Sequence, residues 1–336
     1  MKPILGITMG DAAGVGPEII VKALTDKKIY EIGRPVVFGD KKIMERAVKI
    51  VGADVTCNVI EHPGVGGNTY GTIDIIDLDN LPADLPFAKV DARAGKAAYE
   101  YIEKAVGYAL KHEIHAIVTA PLNKEALNLG GNHYPGHTEI LGALSGQKDY
   151  SMMLSSEALK VIHVSTHVPL RKACDLVKKE RVLKVIHLAD ETVRMMGIEK
   201  PRIAVAGLNP HSGESGLFGT EDQEEILPAV EAAQKEGLDV TGPVPPDTVF
   251  YRAAIKKEFD IVVVMYHDQG HIPIKVLGFD SGVNVTVGLP CIRTSVDHGT
   301  AFPVAGQGIA SSTSMTESLV LGAQMATVKF ADLLNK

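Results

Sequence analysis

A chain of 336 residues, 45 % apolar and 22 % charged, has the composition of an ordinary globular protein and the length of about two domains, so it needs no disulfides to hold a core. Its net charge of −7, with cations only in short clusters such as Lys178–Lys179, excludes the basic stripe of a nucleic-acid-binding surface. The cysteines Cys57, Cys174 and Cys291 are few and far apart; with no signal-like leader and no run of about 18 apolar residues, a reducing, cytoplasmic setting away from membranes is expected.

In chain order, short runs rich in Val and Ile fall at 4–8, 36–38, 116–119, 161–164, 203–206, 261–265 and 283–287. They lack polar alternation, which predicts strands buried on both faces, as in parallel sheets covered by helices. Helical patterns lie between them. Pro17 suits the first turn of a helix through Ile19, Ile20, Ala23 and Leu24. Ile102, Val106, Ala109 and Leu110 form one apolar stripe, and Val182, Val185, Ile186, Ala189, Val193 and Met196 form another that Gly197 stops. Thr220-Glu221-Asp222-Gln223 reads as a capping box, and Pro228 predicts a kink or late start in the helix that follows. The Gly- and Pro-rich stretch 58–87 reads as loop. The alternation gives an α/β fold, and without a clean linker the chain is expected to cross between its domains more than once.

Three of the predicted strands run into a histidine. Ser165-Thr166-His167 follows the run 161–164, Gly207-Leu208-Asn209-Pro210-His211 follows 203–206, and Tyr266-His267-Asp268 follows 261–265. Open α/β sheets place ligands beyond the carboxyl ends of their strands. Taken singly, each histidine is an ordinary surface or hydrogen-bonded residue, and His62, His112, His115, His133 and His187 are read that way. Three in equivalent positions point to a shared divalent metal. Imidazole donors favour Zn, Co or Mn over Mg, and three of them leave open positions for catalysis. Asp268, next to a ligand, and Asp247, after Pro245-Pro246, are candidate proton acceptors. Lys275, Asn284 and Arg293 form a second group suited to carboxylate or phosphate, with Lys275 also a candidate for proton transfer. Lys124 is a weaker anion-site candidate. The segment from Gly10 to Glu18 resembles a phosphate loop at a helix N-terminus, although it matches neither dinucleotide nor nucleotide fingerprints; a tight structural turn is the alternative.

Several motifs together resemble one family. They are Gly10-Asp11-x-Ala13-Gly14-x-Gly16-Pro17-Glu18, Pro135-Gly136-His137-Thr138-Glu139, Ser165-Thr166-His167, Leu208-Asn209-Pro210-His211-x-Gly213-Glu214, Met265-Tyr266-His267-Asp268-Gln269-Gly270 and the run from Ile292 to Ala301. In order and spacing they resemble the 4-hydroxythreonine-4-phosphate dehydrogenase family of pyridoxal phosphate biosynthesis. The resemblance implies a two-domain isocitrate/isopropylmalate dehydrogenase-like fold, an active site in the interdomain cleft, and a homodimer with shared sites. It implies one divalent metal on His167, His211 and His267. His137, Thr138, Lys275, Asn284 and Arg293 would contact a small phosphorylated substrate. Asp297, His298, Gly299, Thr300 and Ala301, with Gly306, Gly308, Ile309 and Ala310, resemble the loop that holds NAD in the wider superfamily. Residues 1–125 with 281–336 would form the cofactor side, and 126–280 the metal, substrate and dimerisation side.

Ala12, Met9-Gly10-Asp11, Leu122-Asn123-Lys124 and His271-Ile272 depart from the vitamin-pathway pattern. They resemble a sibling branch that oxidises 4-phospho-D-threonate and 4-phospho-D-erythronate to dihydroxyacetone phosphate and CO2, and that branch is favoured. The competing classes are a metal-dependent hydrolase, which would turn over without NAD, and a non-catalytic phosphometabolite-binding protein.

Overall fold

A computed structural model describes residues 1–278 and 282–335. The chain begins with β1 (Ile4–Thr8), α1 (Gly16–Ala23), α2 (Lys27–Ile32), β2 (Arg34–Gly39), α3 (Lys41–Val51), β3 (Thr56–Val59) and β4 (Thr72–Asp77). It continues with α4 (Ala92–Ala109), β5 (Ala116–Thr119), α5 (Lys124–Leu129), α6 (His137–Ser145), β6 (Ser151–Ser155), β7 (Lys160–His163), α7 (Leu170–Leu176) and α8 (Lys179–Met195). Then come β8 (Ile203–Ala206), α9 (Leu227–Lys235), β9 (Val240–Val244), α10 (Pro246–Ala254), β10 (Ile261–Val264), α11 (His267–Gly278) and β11 (Val283–Val287). The chain ends with β12 (Ile292–Val296), α12 (Thr313–Lys329) and α13 (Ala331–Leu334).

These elements separate into two compact units, Met1–Asp149 with Leu289–Lys336, and Tyr150–Gly288. In the first, the strand order is β3-β4-β2-β1-β5-β12, and every pairing is parallel. Leu5, Ile7, Val37, Phe38, Ile117 and Val118 are wholly buried, as strands covered on both faces must be. The helices start where the sequence supplies a cap. Asp40 accepts from Lys42 N and Ile43 N, Asp91 from Arg93 N, and Asn123 from Ala126 N, each satisfying an otherwise orphaned donor.

In the second unit the order is β11-β6-β7-β10-β8-β9. β6 pairs antiparallel with both β11 and β7, whereas β7, β10, β8 and β9 run parallel. Leu154, Val161, Val249, Val262, Val264 and Ile274 build its core. Among the described residues, no helix is long and apolar enough to cross a membrane.

Three local expectations are corrected. The stretch 58–87 contains β4, whose Ile73, Ile75 and Ile76 are buried; the signal was masked by Asp74, whose buried carboxylate accepts from Asn58 Nδ2 at 2.8 Å. No capping box forms at Thr220, because Glu221 and Asp222 turn back to the loop before them and a π-helical turn, Asp222–Ile226, precedes α9; Pro228 sits in the first turn of α9, a late start. Residues 126–149, expected in the second domain, belong to the first unit. There α5 lies tight on α4, since a Cβ on Gly95 would stand 1.9 Å from the Ala126 carbonyl oxygen. The other expected boundary, at 280–281, lies outside the described residues.

Candidate active site

The second unit gathers the three predicted histidines at one end. β7, β10 and β8 are consecutive, parallel neighbours, and their carboxyl ends lead into His167, His267 and His211 respectively. Adjacent strands lie about 4.8 Å apart, so loops leaving three of them on the same side start within reach of one ion. The rings of His167 and His267 stand 5.6 Å apart, centroid to centroid, close to the roughly 5 Å that two imidazoles bound to one tetrahedral ion would adopt. His267 Nδ1 lies 2.7 Å from an Asp268 carboxylate oxygen. A carboxylate only accepts, so Nδ1 carries the proton and Nε2 keeps its lone pair for a metal. The donor set therefore fits a Zn-like ion, although among the described residues no three His, Cys, Asp or Glu side chains already converge as a cage.

His211 sits in a backbone of unusual conformation. The turn Pro210–Gly216 carries His211 (φ 52°), Ser212 (55°), Gly213 (80°), Glu214 (41°) and Ser215 (56°) in left-handed conformation. For residues with a Cβ this costs about 1–2 kcal/mol each. The turn is held from below by Asp222, which is wholly buried. Its carboxylate accepts from Leu208 N (2.8 Å), Asn209 N (3.1 Å) and Asn209 Nδ2 (3.0 Å), and Glu221 accepts a further bond from Asn209 Nδ2 at 2.8 Å.

Two histidines that sequence reasoning did not single out as site residues stand behind His267. His271, one helical turn on, donates from Nδ1 to the His267 carbonyl (2.9 Å) and stacks its ring on His267 at 3.6 Å and 11°. His163 lies beyond, 4.8 Å from His271. Burial holds its pKa down to about 3, so it is a neutral ring at physiological pH. The i, i+4 spacing of His267 and His271 was legible; the tertiary stack that adds His163 was not.

Of the other second-unit candidates, Lys275 lies in the last turn of α11. Asn284 sits on β11 with Nδ2 3.1 Å from Met152 Sδ. Asp247 stands exposed in the first turn of α10, after β9, the strand next to β8.

The first unit brings His137 and Arg293 together with Thr119, and Thr138 follows His137 in sequence. Arg293, on β12, is 3 % exposed and donates from Nη2 to Thr119 Oγ1 at 2.8 Å on the neighbouring strand β5. Burial lowers its pKa to about 9, opposed by the Glu139 carboxylate, so the guanidinium stays charged at neutral pH. His137 and Thr138 open α6. Burial, with Arg293 nearby, holds His137 well below the ordinary imidazole range, and its Nε2 is buried without a hydrogen-bond partner. A charged fork, a hydroxyl and a neutral imidazole in one place suit an anion. Lys124 begins α5, capped by Asn123.

The predicted cofactor loop follows β12. Asp297 N donates to Ser314 Oγ (3.2 Å), His298 Nδ1 to Gly299 O (2.9 Å), and Ala301 turns left-handed at φ 45°. What anchors the loop is the Gly10–Glu18 segment, which is buried throughout. Val15 N donates to Thr300 O at 3.0 Å. Glu18, 1 % exposed, accepts from Gly306 N (2.6 Å) and Gly308 N (2.7 Å). Lys22 Nζ donates to Ala310 O at 2.7 Å. The tight structural turn is the reading these contacts favour for this segment: the amides of Asp11, Ala13, Gly14 and Val15 are all taken by protein oxygens.

Comparison with known proteins bears on this geometry. Residues 31–322 match the family model described as pyridoxal phosphate biosynthetic protein PdxA. A relative from Cupriavidus necator named D-threonate 4-phosphate dehydrogenase is 52 % identical over 97 % of this chain and 98 % of its own length. A solved 4-hydroxythreonine-4-phosphate dehydrogenase from Burkholderia phymatum is 53 % identical, covers 97 % of this chain and 98 % of its own, and superposes with a TM-score of 0.87. One of the same name from Klebsiella pneumoniae is 46 % identical, with a TM-score of 0.88 over 96 % of this chain and 99 % of its own.

Proposed function

Because this chain belongs to the PdxA family of pyridoxal phosphate biosynthetic proteins, we propose that it is a dehydrogenase that oxidises and decarboxylates a four-carbon 3-hydroxy-4-phospho acid with NAD. Its relatives carry both substrate names. We favour 4-phospho-D-threonate or 4-phospho-D-erythronate over 4-hydroxythreonine 4-phosphate, on the strength of Ala12 and His271-Ile272 and of the threonate-named relative. The observation that carries the reading is the strand order: His167, His267 and His211 leave three consecutive parallel strands at the same end.

Those histidines would hold one divalent ion, Zn, Co or Mn rather than Mg. When bound, the ion supplies Lewis acidity for loss of the hydroxyl proton and for the charge that develops as CO2 leaves. The remaining tasks fall to the chain. Arg293 presents two parallel N–H groups that suit a carboxylate or phosphate, and Thr119 fixes the guanidinium's orientation. His137 Nε2 and the Thr138 hydroxyl would add hydrogen bonds to the same anion, and in the second unit Asn284 and Lys275 are the polar side chains proposed for substrate binding. Lys275 is the proposed proton carrier at the reacting carbons; Asp268 holds the proton on His267 Nδ1, and Asp247 stands ready as a second acceptor. Asp297, His298, Gly299, Thr300 and Ala301 would hold NAD, whose own chemistry takes the hydride. A homodimer is part of the same proposal; Ile272 (61 %) and Val276 (80 %), one turn apart on α11, are exposed apolar side chains that a second subunit could cover.

The test is a panel assay. Purified protein with NAD, a divalent metal and each phosphorylated candidate is followed for NADH. Turnover of phosphothreonate or phosphoerythronate but not of hydroxythreonine phosphate is expected. The opposite preference moves the chain to the vitamin branch, and release of phosphate without NADH points to a hydrolase.

A further inference from the structure

Beyond the last ladder bonds the sheet no longer dictates where a chain goes, yet the three histidines all lie beyond them. The β10–β7 register ends at Val264 opposite His163, and the β10–β8 register at Val263 opposite Val205. Two buried side chains take over there, both acting on the peptide groups of Met265. Gln269 and Ser165 are each 7 % exposed, and Met265 is wholly buried. Met265 N donates to Gln269 Oε1 at 2.6 Å, and Gln269 Nε2 donates to Gly207 O at 2.8 Å. Ser165 Oγ donates to Met265 O at 2.9 Å.

Met265 immediately precedes Tyr266-His267, Ser165 stands at the root of the His167 loop, and Gly207 at the root of the His211 loop. The two side chains therefore staple all three loops to one another. The Gln269 amide accepts from one strand end through its oxygen and donates to the next through its nitrogen. A carboxylate would keep the bond from Met265 N and leave the Gly207 carbonyl without its donor; an alkyl chain would lose both.

We infer that Gln269 and Ser165 are positioning residues for the metal proposed above, fixing the spacing of the three imidazoles through Met265. The inference rests on that reading of the histidines. Groups that orient metal ligands without touching the ion typically change metal affinity 10–100-fold when removed, and a metal set tolerates only about 0.5 Å of misplacement.

The experiment measures Co(II) binding to the metal-stripped full-length protein, by calorimetry and by the visible absorption of the bound ion. Wild type should bind one ion and His267→Ala should not. Gln269→Leu should weaken binding about 10–100-fold and alter the absorption, with Gln269→Glu between the two. Ser165→Ala should weaken it as well, and Ser165→Thr, which restores a hydroxyl, should recover it; this pair carries the test should Gln269→Leu fail to fold. Val249→Ala, in the core of the same unit, should lower Tm and leave cobalt affinity unchanged. Wild-type affinity in both Gln269→Leu and Ser165→Ala overturns the inference and leaves the histidine reading standing. So does a loss of affinity that Val249→Ala reproduces at equal loss of Tm. Absence of cobalt binding in wild type overturns both.

Discussion

The proposed cofactor loop of the first unit and the His211 turn of the second are held by the same device and pay differently for it. Each rests on a buried carboxylate that collects backbone N–H groups: Glu18 takes those of Gly306 and Gly308, and Asp222 takes those of Leu208 and Asn209. In the cofactor loop the gripped positions are glycines with φ of 82° and 67°, where the left-handed region is free of strain. In the histidine turn, four residues with side chains adopt that region. The difference teaches what each loop must deliver. A loop proposed to offer mainly backbone to a ligand can use glycine at the positions its carboxylate grips, although Ala301 still turns left-handed at φ 45°; a turn proposed to deliver an imidazole keeps side chains, and their strain, in that region.

That contrast can be broken from either side. His211→Ala removes the side chain for which the strain exists. It should lose bound metal and at least about a thousandfold of kcat/KM, about 4 kcal/mol, while NAD affinity and the circular dichroism spectrum are unchanged; metal analysis and steady-state kinetics check it. Retention of both metal and turnover would remove His211 from the site. Glu18→Ala does the reverse, stranding the Gly306 and Gly308 amides. Two charge-assisted bonds at about 1.5–3 kcal/mol each put the loss near 3–6 kcal/mol, read as weaker NAD binding in calorimetry and a lower Tm, with cobalt affinity intact. An equal loss of metal binding would show that the two loops are not independent.

The smallest effect sharpens the first unit alone. Asp11 is fully buried; burial, helped by Asp91 and opposed by the bond from Ala13 N, raises its pKa from 3.8 to about 6. A carboxyl that binds its proton more tightly when folded contributes stability at low pH, lost as pH rises from about 4 through about 6. A shift of about two units corresponds to about 3 kcal/mol. Asp11→Asn should flatten this part of the pH–stability curve measured by chemical denaturation, gaining on wild type at pH 7 relative to pH 4. An unchanged slope would mean that Asp11 is ionised in the folded protein throughout that window.

Much of the architecture was legible because buried parallel strands announce themselves. The runs at 4–8, 116–119, 203–206 and 283–287 coincide with β1, β5, β8 and β11, and their order of Val and Ile needs no tertiary information. The histidines after three runs were legible for the same reason, since a strand's end is a local event. Side chains that act across the fold were not. Glu18 appears in a motif read as a phosphate loop, but its partners lie 288 and 290 residues away. Gln269 reads as one polar residue in a helix start, although it reaches Gly207, 62 positions earlier. A Glu within the otherwise apolar stretch from Pro17 to Val21 was the one available hint of a buried charge seeking a partner. The misread capping box has the same origin, because Asp222 turns back to Leu208 and Asn209 instead of forward into its own helix.

The sixth strand of the first unit, β12, is drawn from the final fifth of the chain. During synthesis, residues 1–149 emerge early but must wait beside the ribosome with β5 uncovered until residues 292–296 arrive. The contiguous segment 150–288 carries all its own strands and can complete itself in the interval. The half of the protein that is translated first is thus the half that finishes last.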